Sequence, residues 1–302
     1  MNENVIYKYF SAKYGIEMLD TGILYMSNPR KYNDPFEILP TSKHMVIKGE
    51  ELHVIQNISE TKEGKSKLEE WGVSDIIPSG TVLSATAISS GSLVTMAAIA
   101  LYYWYKTSKG EVNENDFDEF RKTHNFIMIM NIYNQIIKGT RVCCFAAKPD
   151  NILMWGHYAK GVREKNGKNG KDEIIGNAGI VVSFKKDLNL YNGAFFKKVD
   201  YQDNRMPLPD ERTDIFAYIG DLLTRKARCW SYEEEWRLIK LNTKNDRLQV
   251  NRAAVNAIYL GLETHPDHIE RVKRIRNQKY PGVPIYQAKL NSFAYKLDFI
   301  EL

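Results

Sequence analysis

Val255-Asn256-Ala257-Ile258-Tyr259-Leu260, followed by Thr264-His265-Pro266-Asp267 and then by Ile285-Tyr286-Gln287-Ala288-Lys289-Leu290, is the stretch that decides the fold class. The first and last runs are rich in β-branched, aromatic and aliphatic residues and read as strands. Between them, Thr264 is placed to cap a helix, with Pro266 and Asp267 in its first turn. Phe293–Ile300 reads as one more strand. Working outward, strand character recurs at Val5–Phe10, Gly22–Ser27, Arg141–Phe145, Ala178–Phe184, Ala194–Tyr201 and Glu234–Lys240. Helical spacing marks pieces of 45–75, then 112–138, Ile152–Tyr158 and Ile215–Lys226. No internal repeat or linker interrupts this alternation. The expectation is a single α+β domain over 1–302, with a mixed or antiparallel sheet at its core and flanking helices.

Composition agrees with a folded chain. Apolar residues make up 43% and charged residues 26% of the 302, enough for a substantial core. The net charge of +5 is mild and no long Lys/Arg run occurs, so an anionic partner is permitted but not demanded. The three cysteines are Cys143, Cys144 and Cys229. The adjacent pair points to opposite sides of a strand and cannot jointly grip a metal. An odd count and an N-terminus without targeting character give a cytoplasmic expectation.

Two segments stand apart. From Ile76 to Tyr105 there is no charged residue, and 76–106 reads as an apolar insertion. Its first half is diluted by Ser and Thr, and only Leu93–Trp104 is densely apolar, so a buried or partner-facing helix is favoured over a membrane-embedded one. Residues 163–177, rich in Gly, Asn and Lys, read as a mobile surface loop.

Three clusters carry candidate chemistry. The first joins Lys8 and Tyr9 to the corner at Asn33–Glu37, where Asp34 and Glu37 either support a turn or face a pocket. The second is Asp150–Ala159, in which Asp150 or Asn151 caps a short helix. There Trp155 and Tyr158 lie one turn apart, and His157 is the group whose charge changes near neutral pH. The third is Lys226 followed by Trp230–Leu238. In a continuous strand, Glu233, Glu235 and Arg237 share one face, about 7 Å apart, while Trp236 and Leu238 take the other. On an open surface such a row is solvated; in a cleft it binds a hydroxyl, a sugar or a cation, with Arg237 holding one carboxylate ionised.

Taken in order, Tyr7-Lys8-Tyr9, Asn33 to Glu37, Cys144-Phe145, Asp150-Asn151, Leu153 to Trp155, His157 to Ala159, Gly179 to Phe184, Lys226 and Trp230 to Arg237 resemble the bacterial "domain of unknown function 2971" family. The stretches 76–105 and 163–177 depart from it as insertions. The family name carries no activity. A weaker likeness, in the Tyr-polar-Tyr first strand and the late Glu-x-Glu strand, is to the ADP-ribosyltransferase superfamily. It implies an NAD-consuming transferase or glycohydrolase, suited to a toxin or phage-defence effector. By that likeness Glu235 bonds the nicotinamide ribose and stabilises oxocarbenium-like charge, and Glu233 orients or deprotonates a protein or nucleic-acid acceptor. The first strand departs from the superfamily in offering Lys8 and Tyr9 instead of His or Arg, so His157 would come from elsewhere.

The expected catalytic set is therefore Glu235, Glu233 and His157. The expected contacts to a nucleotide such as NAD are Lys8, Tyr9, Asp34, Glu37, Trp155, Tyr158, Lys226 and Arg237, with no resident metal. Two other classes remain open. One is a nuclease or phosphoesterase with Asp34, Glu37, Glu233 and Glu235 around Mg²⁺. The other is a non-enzymatic binding or membrane-associated module using 76–105 as its contact surface. P-loop, Rossmann and HExxH signatures are absent, which makes ATP-driven and zinc-protease readings poor ones.

Overall fold

A computed structural model describes residues 4–32, 34, 37, 49–70, 101–102, 104–106, 108–111, 135–163, 173–207 and 213–302. Most of the uncharged stretch 76–105, most of the helix expected over 112–138, most of the 163–177 loop, and Asn33, Pro35 and Phe36 lie outside these residues. The chain divides into two compact units, one of 1–27, 140–199 and 229–302, the other of 28–139 and 200–228.

The first unit is built on one sheet of eight strands. In chain order they are β1 (Val5–Phe10), β3 (Arg141–Ala146), β6 (Ile180–Lys185), β7 (Phe195–Lys198), β10 (Glu235–Lys240), β12 (Val255–Leu260), β13 (Ile285–Leu290) and β14 (Leu297–Glu301). Across the sheet they run β14-β13-β12-β6-β1-β3-β10-β7. Within this sheet only β12 and β13 among the described pairs are parallel, and the helix α6 (Pro266–Lys279) makes the crossover that such a pair requires. The class is α+β with a mixed sheet, as the alternation of strand and helix signals implied. Short pairs flank it: β2 (Ile23–Tyr25) with β11 (Arg247–Gln249), and β4 (Gly161–Arg163) with β5 (Glu173–Ile175).

Both faces of the sheet are covered. One face sends Ile6, Phe10, Cys143, Phe145, Val182, Phe184 and Leu238 into a core shared with Ile16, Met18 and Leu19 of α1 (Ala12–Thr21) and with Val272 and Ile275 of α6. The other face is covered in part by α4 (Ile152–Tyr158), whose Met154 and Trp155 pack with Tyr9, Ala146 and Val181. Gly179 makes this layering feasible. A Cβ there would sit 2.2 Å from the Phe10 carbonyl oxygen and 2.5 Å from the Ala159 carbonyl carbon.

Local signals are shifted in three places. The cap of α6 is His265, whose Nδ1 accepts from Asp267 N–H at 3.3 Å, while Thr264 Oγ1 instead donates to the Gly179 carbonyl at 3.1 Å. The run Ala194–Tyr201 is two strands, because β8 (Asp200–Gln202) belongs to the second unit and pairs in parallel with β9 (Arg225–Ala227). The helix expected over Ile215–Lys226 accordingly stops at Leu222 as α5 (Ile215–Leu222), capped by the Asp214 carboxylate on Phe216 and Ala217 N–H. The second unit also holds α2 (Gly49–Glu60) and α3 (Lys62–Glu70), within the segment read as helical. Among the described residues no helix is long and apolar enough to cross a membrane.

Candidate functional site

The site in the first unit begins with strand register. Tyr7 on β1 and Glu235 on β10 both face Ala146 on β3, and Arg237 faces Cys144. Alternation then places Tyr7, Tyr9, Cys144, Ala146, Glu235 and Arg237 on the α4 side of the sheet. Lys8 points to the other side. Its Nζ donates to the Cys144 carbonyl at 2.9 Å and lies 5.9 Å from the ring centres of Phe10 and Phe145. The expectation that Lys8 and Tyr9 act together on one ligand is corrected by this, because consecutive strand residues leave by opposite faces.

The Glu233-Glu235-Arg237 row also needs correction. Residues Arg228–Glu233 form a 3-10 turn, and the chain reverses at Glu234, which has φ 43°. Strand geometry starts only at Glu235, so Glu233 is not the next rung of the same ladder. The two carboxylates are both buried, at 4% and 3% exposure, but in different settings. Glu235 is gripped by Arg237 through Nε at 2.9 Å and a terminal nitrogen at 3.1 Å, and Arg237 is fully buried. That forked, charge-assisted pair is a structural clamp inside the protein. Glu233 accepts instead from the phenol of Tyr158 at 2.9 Å. Glu234 points elsewhere and pairs with Lys148.

Helix α4 delivers Tyr158 to that bond. Asn151 starts the helix, accepting from Leu153 N–H at 3.1 Å and Met154 N–H at 3.2 Å, and its side-chain amide donates to the Tyr232 carbonyl. One polar side chain thus ties the helix start to the turn that carries Glu233. Trp155 is wholly buried, donates Nε1–H to the Pro149 carbonyl at 2.7 Å, and meets Tyr9 edge-on at 5.6 Å between ring centres. Tyr9 donates its hydroxyl to the Lys148 carbonyl at 2.9 Å, and burial pushes its phenol well above the ordinary range. Tyr7 meets Tyr259 edge-on at 5.9 Å, and Tyr259 stacks on Tyr286 at 5.1 Å. Burial raises the phenols of Tyr7 and Tyr259 as well, so these hydroxyls stay protonated at neutral pH.

His157 is exposed on α4, its ring 6.2 Å from that of Tyr158. Cys144, opposite Arg237 in the register, has its thiol pushed well up by burial and then by the neighbouring Glu235. Asp34, Glu37 and Lys226 belong to the second unit. There Glu37 N–H donates to the Asp34 carbonyl at 3.2 Å, and the Glu37 carboxylate lies 3.8 Å from Lys226 Nζ, with both side chains buried. Among the described residues no group of three or more His, Cys, Asp and Glu side chains is placed to hold a metal ion.

The sequence reading did not single out Tyr232, Tyr259 or Tyr286. The signal was present in part: Tyr259 and Tyr286 occupy equivalent positions in two strands, β12 and β13, that are paired side by side. What the arrangement offers is a buried, hydrogen-bonded carboxylate beside a helix of aromatic residues, within an α+β unit. No family model, curated protein or solved structure matches the chain.

Proposed function

We propose that the first unit is an NAD-consuming enzyme, an ADP-ribosyltransferase or NAD glycohydrolase, with Glu233 as its working carboxylate. The observation that carries this reading is the Glu233–Tyr158 hydrogen bond at 2.9 Å on a side of the sheet furnished with Tyr7, Tyr9 and Trp155. Aromatic rings suit the flat faces of nicotinamide and adenine. A sheltered carboxylate suits the positive charge that develops on the ribose as the glycosidic bond breaks. In that step the bond between ribose C1′ and the nicotinamide nitrogen breaks, and its electron pair neutralises the pyridinium. Water or an acceptor group then bonds to C1′, and its proton passes to Glu233.

The likeness to the ADP-ribosyltransferase superfamily points to the same substrate, but the assignment moves from Glu235 to Glu233. Glu235 already has both oxygens on Arg237 inside the protein and has no free edge to offer a ribose. His157, at the exposed end of α4, is assigned to substrate entry and not to bond breaking. The stretches that resemble the domain of unknown function 2971 family include both Glu233 and Tyr158, and the proposal extends to chains that carry them.

The test is release of nicotinamide from NAD by the full chain, followed by chromatography. Glu233→Gln is expected to lower the rate at least 100-fold with an unchanged melting temperature, and Tyr158→Phe about tenfold, within the range for a positioned acid–base group. A wild-type chain that frees no nicotinamide above the buffer control, alone or with cell extract as acceptor source, ends the proposal.

A further inference from the structure

Among the described residues, three buried side-chain atoms able to hydrogen-bond have no partner: Nε of Arg225, Nε of Arg276 and the hydroxyl of Tyr280. Arg225 is the one of interest, because it lines a small, open cleft in the second unit. Glu37, Arg205, Met206, Leu222 and Lys226 are also in its walls.

A guanidinium N–H that is buried and unbonded is costly, and native proteins leave few such groups, a bound ion or an ordered water being one way to complete them. The protein does not complete it here. Among the described residues, the Asp200 carboxylate lies 3.7 Å from a terminal nitrogen of Arg225, beyond hydrogen-bond reach, and both its oxygens already accept from Gln202 Nε2 at 2.9 and 3.0 Å. The register explains the mismatch. Asp200 and Arg225 are partners across the parallel pair β8–β9, which sets the two side chains abreast, and Nε remains without an acceptor.

The charges around the cleft are positive on balance. Arg205, Arg225 and Lys226 line it against Glu37 and Asp203, and Asp203 is engaged by Arg228, whose Nε donates to both its oxygens at 3.0 and 2.9 Å. Lys226 and Glu37 stand 3.8 Å apart, too far for a direct hydrogen bond. Burial holds the Arg205 guanidinium below its ordinary range. Guanidinium groups in a partly dry cleft match a tetrahedral oxyanion, whose oxygens accept several charge-assisted bonds at once.

We infer that the cleft bordered by Arg205, Arg225 and Lys226 is an oxyanion site of the phosphate class, with Arg225 Nε–H as the anchoring donor. The cleft belongs to the second unit, and none of its residues takes part in the NAD reading of the first. The anion comes either as free phosphate or as the phosphoryl group of a nucleotide.

The test uses the full chain in calorimetric titration and thermal melts with inorganic phosphate, against chloride at matched ionic strength. A parallel arm uses AMP. Phosphate is expected to raise the melting temperature where chloride does not, and Arg225→Met to weaken phosphate binding at least tenfold. In the absence of phosphate Arg225→Met should melt no lower than wild type, since it removes a buried donor that nothing satisfies. A purely structural Arg225 would lower it. AMP binding tenfold tighter than phosphate identifies a nucleotide as the source; equal binding identifies the free anion. Should Arg225→Met not fold, Arg225→Lys keeps the charge but loses the Nε donor, and carries the same expected loss of phosphate affinity. The inference is overturned by a wild-type response equal to that in chloride, or by a folded Arg225 variant that binds phosphate as wild type does. Glu233→Gln should leave the phosphate response intact, which separates this outcome from that of the NAD reading.

Discussion

The Arg237 guanidinium and the Glu235 carboxylate face each other two residues apart on one strand, with no water-exposed edge between them. Burial makes such a pair asymmetric in its energetics: breaking it leaves a lone charge in a dry place, whereas removing both charges need not destabilise. Arg237→Met is therefore expected to cost about 3–5 kcal/mol, and Glu235→Gln a similar amount by orphaning the guanidinium. The double variant Glu235→Leu/Arg237→Met should recover most of that loss, as read by urea unfolding of all four proteins. A double variant as unstable as the sum of the singles would show that the two side chains act separately. The sequence displayed both residues but not this relation. Reading 233, 235 and 237 as one row assumed an unbroken strand, and a single positive φ at Glu234 undoes it. An L-residue with a side chain rarely adopts that conformation, so nothing in the residue's type announced it.

Among the elements, α4 shows how little chain a site needs. Seven residues would not hold a helix alone, and this one is held by its cap and by Trp155. Asn151 serves twice, accepting from two N–H groups of the first turn and donating to the Tyr232 carbonyl beside Glu233. Asn151→Ala should cost about 1–2 kcal/mol in melting experiments, and Asn151→Asp should restore the cap but not the bond to Tyr232. If the turn positions Glu233 for catalysis, Asn151→Asp lowers nicotinamide release even where its stability matches wild type; equal rates would separate the cap from the site. This element was legible because Asn-x-x-apolar spacing is a local signal. Helix α1 was not. Ser11 gives no side-chain cap, and Gly15, a poor helix former, sits inside it. Gly15 is there for packing, since a Cβ would approach Ile180 Cβ to 2.9 Å.

For the molecule as a whole, the arrangement of layers controls which thiols meet solvent. Cys143 lies in the main core and Cys144 on the α4 side, and burial raises both thiols, whereas Cys229 is exposed. A thiolate-seeking reagent at neutral pH should therefore label one cysteine in the folded protein and three after denaturation, with mass spectrometry placing the first label on Cys229. Rapid labelling of Cys144 in the native protein would mean that the clamp region opens to solvent. Paired Cys143 and Cys144 were readable as opposite-facing strand residues from alternation alone, but that both faces are covered is a property of the assembled sheet.

Local pattern determined the elements that depend on neighbours in sequence: the strands at Val255–Leu260 and Ile285–Leu290, the helix Ile152–Tyr158, and with them the α+β class. Side-chain period and capping chemistry act over a few residues, so they are written in the chain itself. Tertiary structure alone decided which carboxylate is clamped and which accepts from a tyrosine, that Lys8 and Tyr9 part company across the sheet, and that Arg225 Nε is left without an acceptor. Those outcomes depend on register and burial, with Tyr158 and Glu233 75 positions apart and Lys8 and Cys144 136 apart, and no local period encodes them.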